Sequence, residues 1–368
     1  MASMKLNPYD PFDNPTENCA YRTNYNDINN RINEDGYQLP LIPEKNERKN
    51  IRYYFNIAGL GLLAGAIGVN ILFIIISLLL EFIISGSFDY DKLLDAEYYI
   101  NNSSSILIAL NGLLFLFVNL IPAIVGSRLT GIRIRSYFRP VNTKKSQLAK
   151  YMFIGIFIQA TTNILYSIVQ SIMQAGGIND YTADIDNYLG AKAIIATALY
   201  SCIVAPITEE LLYRGFVMKN LSRVSQRFGI IASAVLFGLA HENIAQFLLA
   251  VPVGIFMGRI VVKHNSLIPS ILVHMAVNTL AFFMNWIFTA MPDNSLGTAT
   301  VIITEIIYYI IAIVGMVFWI MELRKSRLPV NTIRQSCRGM RIALTSPLLV
   351  AAAAFHMLIA ILAIFIQN

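Results

Sequence analysis

The sequence predicts an all-α fold, a polytopic bundle of about eight or nine transmembrane helices. Of the 368 residues, 56% are hydrophobic and only 14% are charged, whereas a soluble domain has about 25% charged residues. Apolar runs of about 20 residues, the length that crosses the hydrocarbon core of a bilayer, also recur as far as the C-terminus. A soluble domain of this length would bury a core without needing such runs.

Nine apolar runs predict the helices of this bundle. The fifth and sixth are short and are joined by the sequence HEN, so we expect a hairpin or a partly re-entrant element that surrounding protein shields from lipid. The expected ranges are roughly 55–82, 104–126, 148–174, 190–213, 229–243, 245–262, 267–290, 299–321 and 342–366. The last helix follows a basic loop at residues 322–341 and is expected to be a peripheral addition to one compact bundle.

Lys and Arg residues are concentrated in alternate connections between these helices. The segment before the first helix ends in basic residues, the next connection is acidic, and the connection from Arg128 to Lys145 is basic again. By the positive-inside rule, this pattern predicts a cytoplasmic N-terminus. Topology thus accounts for the net charge of +6, with membrane lipid rather than nucleic acid as the expected partner.

The N-terminal segment and the cysteines carry no sign of secretion. Residues 1–50 are rich in Asn, Asp, Pro and Tyr and lack the early apolar core of a signal peptide, so we expect a disordered cytoplasmic tail. Cys19, Cys202 and Cys337 lie far apart in sequence. Their spacing favours neither a disulfide framework nor a cysteine zinc site.

Three ionisable residues in the fourth predicted helix indicate a function. The stretch ITEELLYRG contains Glu209, Glu210 and Arg214, and a charge inside a bilayer usually faces a functional interior. An interfacial ion pair at the helix end is the alternative interpretation. Because residues four apart share a helix face, Glu210 is expected to pair with Arg214. The Glu209 carboxylate points elsewhere and is left to act as a base or a ligand.

Two more polar groups lie on later helices. His241 ends the stretch FGLAH, while His274 and Asn278 lie four apart on one face of the stretch HMAVN. Each group alone is explained by a hydrogen bond between helices. At about 1.5 Å per helical residue, however, Glu209, His241 and His274 all fall on the order of 13–21 Å below the cytoplasmic face. We therefore expect them to meet in one polar pocket.

Two kinds of chemistry suit this pocket. Glu209, His241 and His274 are candidate ligands of a catalytic Zn²⁺ ion, since two histidines and a carboxylate with an open fourth position form a known zinc site. In the metal-free alternative, Glu209 and His241 activate water while His274 and Asn278 donate hydrogen bonds to a developing oxyanion. Both alternatives lead to hydrolysis of an acyl bond. The sequence contains no GxSxG serine-hydrolase motif and no P-loop.

Two other histidines give weaker evidence of a functional role. His356 is the single histidine of the last predicted helix, and His264 is assigned to a basic loop. We expect each to be structural or to face solvent.

The three polar stretches together resemble a known family. The motifs EExxxR, FxxxH and HxxxN occur as EELLYR, FGLAH and HMAVN, in this order on successive helices within residues 209–278. This combination is similar to the CAAX prenyl endopeptidase and bacteriocin-processing family of intramembrane proteases, also called the Abi family. The resemblance implies an all-helical intramembrane endopeptidase. The roles that it implies are a catalytic base at Glu209, a supporting pair at Glu210 and Arg214, a second water-activating or metal-binding residue at His241, and an oxyanion or ligand pair at His274 and Asn278.

The resemblance also suggests an organisation and a substrate class. It covers a protease core at roughly 190–290, while the expected disordered tail at 1–50, the first three transmembrane helices at 51–189 and the last two helices at 291–368 carry no motif of the family. The Asn-, Ile- and Tyr-rich composition without organellar signals is typical of a bacterial membrane protein. Eukaryotic family members remove the last three residues of prenylated CAAX proteins, but bacteria generally lack prenylation. The expected substrate is therefore a peptide bond of another membrane-associated protein or peptide.

A non-catalytic function is the alternative. The same pocket would then bind a peptide without hydrolysis, as in a membrane scaffold or a bacteriocin self-immunity protein. A secondary transporter ranks third, because the chain has no paired inverted halves.

Overall fold

The structure is a computed structural model that describes residues 44–85, 96–141, 143–177, 191–325 and 332–366. Within these ranges every regular element is a helix, which confirms the all-α prediction. Residues 1–43 of the predicted tail and the acidic connections at 86–95 and 178–190 lie outside the described residues.

The described residues form ten helices. Residues 191–221 make one continuous helical element, α4, that contains wide turns considered below. A short 3-10 turn, Ile134–Phe138, lies between α2 and α3. The other helices are α1 Glu44–Ser85, α2 Ala96–Leu129, α3 Lys145–Ala175, α5 Gln226–Leu239, α6 Ile244–His264, α7 Ile268–Ala290, α8 Ser295–Lys325, α9 Thr332–Leu344 and α10 Pro347–Ile366.

The chain is an integral membrane protein by the length and composition of these helices. Six helical stretches in the described part are long and apolar enough to cross a membrane. A seventh arises if α9 and α10, which meet at a bend of 79°, are counted as one broken span. Helix α5, with 14 residues, is a shorter apolar helix that ends within the bundle.

Local sequence signals explain the boundaries of α6 and α7. The Asn243 side chain accepts a hydrogen bond from the backbone N–H of Gln246, which caps the first turn of α6. At the other end, Asn265 has a φ of 52°, the left-handed conformation that commonly ends a helix. Pro269 then occupies the first turn of α7, where its missing N–H is not needed.

Glycines allow α1 and α2 to approach α4 closely. The ring of Phe216 on α4 is fully buried and lies against Gly61 of α1 and Gly126 of α2. A Cβ atom added at Gly61 would lie 2.8 Å from Phe216 Cε1, and one added at Gly126 would overlap the same ring. The three helices therefore pack around this one aromatic side chain, which holds the functional helix in the core.

Replacing Gly126 with Ala is expected to destabilise the protein by about 1–3 kcal/mol, because the added methyl group overlaps the Phe216 ring in a packed core. Gly68→Ala is the matched control, since a Cβ atom at Gly68 would meet nothing within 4 Å. Reversible unfolding in detergent measures both variants. Equal stability of the two would contradict the packing described for Phe216.

Three expectations about the ends of the chain need correction. Helix α1 begins at Glu44, so residues 44–50 of the predicted tail are helical. The predicted basic loop contains α9, whose sequence TIRQSCRGMRIAL is amphipathic. The prediction missed α9 because it followed apolar runs, whereas half the surface of an interfacial helix is polar. Helix α10 is also not peripheral, since it packs against α1 and α5.

Candidate active site

Two wide helical turns flank Glu209 on α4. The segments Tyr200–Val204 and Glu210–Val217 have π-helical hydrogen bonding, in which each N–H reaches the carbonyl five residues earlier. Such turns occur often at functional sites. A wide turn holds more residues than a turn of an α-helix. The side chains that follow it therefore point in directions rotated from those that a regular α-helix would give.

Pro206 explains the first wide turn and gives Asn278 a partner. Proline has no N–H, so Pro206 cannot donate to the Ser201 carbonyl five residues before it. That carbonyl instead accepts a hydrogen bond from Nδ2 of Asn278 on α7, at 3.0 Å. Asn278 thus connects α7 to α4 and retains one further N–H on its amide. The predicted oxyanion role of Asn278 stays a prediction and would depend on that second N–H.

Asn278→Ala is expected to cost about 1 kcal/mol of stability, because it leaves the Ser201 carbonyl without its partner in an apolar setting. Asn70→Ala is the control. The Asn70 amide donates to the carbonyl of Ala66 within the same helix, so no connection between helices is lost. Unfolding in detergent would show a loss for Asn278→Ala only, and equal effects would count against the connection.

Glu210 and Arg214 form the predicted ion pair. Nη1 of Arg214 lies 2.6 Å from Oε1 of Glu210, and both side chains are buried. The guanidinium also lies over the ring of Phe237, with Cζ 4.3 Å from its centroid. Gly254 on α6 leaves room for it, since a Cβ atom there would lie 3.0 Å from Nη2. The pair is therefore buried in the protein core rather than exposed to lipid or water.

His274 lies between the two adjacent glutamates. Its Nδ1 is 3.2 Å from Oε1 of Glu210, and its Nε2 is 3.6 Å from Oε2 of Glu209. Glu210 is fully buried, whereas the Glu209 side chain is 18% exposed. One carboxylate thus orients the imidazole from within the core, and the other remains accessible beside it.

Phe237 brings the two histidine motifs together. Nδ1 of His241 donates to the Phe237 carbonyl at 2.8 Å, so Nε2 is the nitrogen left to accept a proton or to bind a metal. The Phe237 ring contacts His241 edge to face at 4.8 Å between centroids and His274 at 5.9 Å. The structure therefore places His241 and His274 against one aromatic ring, with Glu209 beside His274.

The distance between two of the candidate ligand atoms suits a zinc ion, but among the described residues a third ligand is not in place. Two ligands of a tetrahedral zinc ion lie about 3.4 Å apart when each bond is about 2.1 Å, and the separation of Glu209 Oε2 from His274 Nε2 is 3.6 Å. Within the described residues, however, no three His, Cys, Asp or Glu side chains converge on one metal position. Zinc binding by Glu209, His241 and His274 stays a prediction.

The fold and this site define an integral membrane protein with a buried polar centre of glutamates, histidines and an arginine. Residues 191–280 match the family model of the type II CAAX prenyl endopeptidase Rce1-like proteins, which are intramembrane proteases. The chain is also 29% identical over 143 residues to the UPF0177 protein YxdF of Lactococcus lactis subsp. lactis (strain IL1403), an alignment that covers 37% of this chain and 78% of that protein. No solved structure gives a significant match. The matched segment includes all six predicted site residues, and the family resemblance is confirmed.

The sequence prediction missed a polar pair next to His241. Nδ1 of His356 on α10 hydrogen-bonds to Oε1 of Glu242 at 2.9 Å, and the His356 side chain is buried, so it does not face solvent. An ionisable residue within a membrane span usually has a partner, and that rule applied to His356 would have prompted the search for Glu242. His264 is likewise not in a loop, since it ends α6 and bonds to Thr143 and Tyr151.

Proposed function

We propose that this protein is an intramembrane endopeptidase that hydrolyses a peptide bond of a membrane-associated protein or peptide. Glu209 is the general base that takes a proton from water, and His241 assists in activating that water. The proposal is supported by the similarity of residues 191–280 to CAAX-type proteases. It is carried by one observation, the different environments of two adjacent glutamates.

Glu210 and Glu209 differ in their partners and in their access to water. The Glu210 carboxylate is enclosed by Arg214 and His274 and has no exposed surface. The Glu209 carboxylate is partly exposed, and its near neighbour His274 lies beyond direct hydrogen-bond distance at 3.6 Å. A general base needs access to the proton that it takes. Glu209 meets this requirement, and Glu210 instead supports the site.

The proposed reaction uses the remaining groups in defined roles. Water near Glu209 loses its proton to the carboxylate and attacks the carbonyl carbon of the scissile bond. His241 accepts a hydrogen bond at Nε2, because its Nδ1 donates to Phe237. The free N–H of Asn278 donates to the oxyanion of the tetrahedral intermediate. His274 donates to it as well when Nε2 carries a proton, because Nδ1 is occupied by Glu210. The proton on Glu209 then passes to the leaving amine.

A metal-dependent form of this reaction uses the same side chains. Glu209 and His274 would hold the ion, with Nε2 of His241 as the third ligand. A bound zinc ion would supply an activated water and polarise the carbonyl group. In that case Glu210 acts through His274, because it contacts the opposite nitrogen of that ring.

The proposed setting is a bacterial cell membrane with the N-terminus in the cytoplasm. The basic connections support this orientation by the positive-inside rule. Because the motif-bearing helices have basic cytoplasmic ends, substrate is proposed to enter from the cytoplasm or laterally from lipid. A prenylated CAAX substrate is not part of the proposal, since bacteria generally lack prenylation.

Cleavage of a quenched-fluorescence peptide library by the purified protein in detergent tests the proposal. We expect turnover by the unaltered protein and none by Glu209→Ala. A chelator arm separates the two forms of the reaction: loss of activity that added zinc restores supports the metal, and unchanged activity supports water activated by Glu209 without metal.

Cleavage that survives in Glu209→Ala would refute the proposed role of Glu209. Binding of a peptide without cleavage, unchanged in Glu209→Gln, would favour a peptide-binding scaffold or an immunity protein instead. Membrane proteins prepared from the same cells should supplement the library, so that a native substrate is present.

A further inference from the structure

The position of the His241 ring depends on a short turn. Helix α5 ends at Leu239 and α6 begins at Ile244, so His241 lies between the two helices. Its backbone N–H donates to the Gly238 carbonyl at 3.2 Å, and its carbonyl accepts from Nδ2 of Asn243 at 3.0 Å. These hydrogen bonds hold the two sides of the turn, and the backbone N–H of Glu242 donates to the Leu239 carbonyl at 3.1 Å.

Glu242 has an unfavourable backbone conformation. Its φ is 58°, in the left-handed region that residues with a Cβ atom seldom adopt. Such a conformation persists only where surrounding contacts over-determine it. Beside the backbone bond to Leu239, the contact that the structure provides is the hydrogen bond from Nδ1 of His356 to Oε1 of Glu242, at 2.9 Å.

This contact joins a distant helix to the turn. His356 belongs to α10 and lies 114 residues from Glu242 in sequence, outside the segment that matches the protease family. Helix α10 is itself anchored to α1, where the backbone N–H of Leu348 donates to Oδ1 of Asn56 at 3.1 Å. The turn is thus attached through α10 to the packed core around α1.

The ionisable nature of His356 and Glu242 favours a functional role for this pair over a role in packing. Helix α5 has 14 residues, so the turn lies about 21 Å from its cytoplasmic end and within the depth of a bilayer. Ionisable groups at that depth are costly and usually functional. Where packing alone is required, apolar residues of similar volume would serve at least as well.

We propose that His356 and Glu242 are positioning residues for His241. Their hydrogen bond holds Glu242 in its left-handed conformation and thereby keeps the His241 ring against Phe237, with Nε2 available to the site. This inference rests on the proposed function of His241. It extends that function by making the last helix part of the catalytic apparatus.

Two variants test the pair by activity. His356→Leu is expected to lower kcat by about 10- to 100-fold, as loss of a group that orients a site residue does, with KM changed less than kcat. His356→Asn should restore most of the kcat, because its amide Nδ2 can replace Nδ1 as the donor. His264→Leu is the matched control, since His264 is likewise a hydrogen-bonded histidine but lies at the opposite end of α6.

Glu242→Gly removes the carboxylate to which His356 bonds. Glycine adopts a positive φ without strain but also adopts other conformations, so the turn is no longer held and kcat should fall as in His356→Leu. Hydrogen exchange of the full-length protein in detergent gives a readout independent of activity. Exchange in residues 238–247 should rise in His356→Leu and remain unchanged in His264→Leu.

The outcomes distinguish the inference from the proposed function. Unchanged kcat or unchanged exchange at 238–247 in His356→Leu would overturn the inference, and so would kcat that falls only in proportion to folded protein. Absence of cleavage by the unaltered protein, or cleavage by Glu209→Ala, would instead count against the proposed function. The exchange comparison would in that case still decide whether the pair holds the turn.

Discussion

Glu209→Gln is expected to lower kcat for peptide cleavage by about 10²–10⁴-fold, the usual contribution of a general base, and to leave Tm unchanged. The amide has nearly the shape of the carboxylate but cannot take a proton from water. Because Glu209 is partly exposed and Glu210 already neutralises Arg214, removal of the Glu209 charge leaves no buried cation without a partner. Steady-state cleavage and thermal unfolding in detergent measure the two quantities.

Glu305→Gln is the matched control for this variant. Glu305 is another half-buried glutamate within a span, on α8, and it belongs to none of the motifs. Its substitution should change neither kcat nor Tm. Activity of Glu209→Gln within tenfold of the unaltered protein would contradict the general-base role.

Arg214→Leu is expected to destabilise the protein by about 3–5 kcal/mol, because it leaves the Glu210 carboxylate buried without its counter-charge. The lost contact between the guanidinium and the Phe237 ring adds to this effect. Chemical unfolding in detergent measures the loss. This loss is a large fraction of the total stability of about 5–15 kcal/mol that is usual for a protein.

A double variant tests the physical cause of that loss. Glu210→Gln combined with Arg214→Leu removes both charges, so it should be more stable than Arg214→Leu alone. Arg259→Leu is the control, since Arg259 on α6 is only half-buried. A double variant as unstable as Arg214→Leu would show that volume and packing, rather than the unpaired charge, determine the effect.

The two predictions together separate neighbouring glutamates by function. Loss of Glu209 should remove activity and keep the stability, whereas loss of the counter-charge of Glu210 should strongly destabilise the fold. Sequence spacing already predicts this separation, because the i to i+4 relation assigns Glu210 to Arg214. The wide turn at Glu210–Val217 does not disturb the pairing, since the two side chains still meet at 2.6 Å.

Other features of the site had no clear sequence signal. Pro206 is visible in the sequence, but its consequence for Ser201 depends on where α7 brings Asn278. The approach of Nε2 of His274 to Glu209 likewise requires the angle between α4 and α7. Side chains on different helices meet through packing, and helical periodicity describes only one helix at a time.

Helical periodicity and apolar runs were also insufficient to predict how the ends of the chain pack. Counting apolar runs located α10 but assigned it to the periphery, because it follows a basic segment that was interpreted as a loop. Its contact with α1 joins residues 292 positions apart, and the hydrogen bond from His356 to Glu242 joins residues 114 positions apart. Helix α9 was missed because an amphipathic helix is not an apolar run.

The sequence by itself determined the all-helical membrane architecture, the three motifs and the pairing of Glu210 with Arg214. These properties depend on hydrophobic length and on helix periodicity, both of which are local. The tertiary structure decided which carboxylate stays accessible, which nitrogen of each histidine is free and how the last helix reaches the turn at Glu242. These features depend on how separate helices pack, because burial and hydrogen-bond partners are set by neighbours distant in sequence.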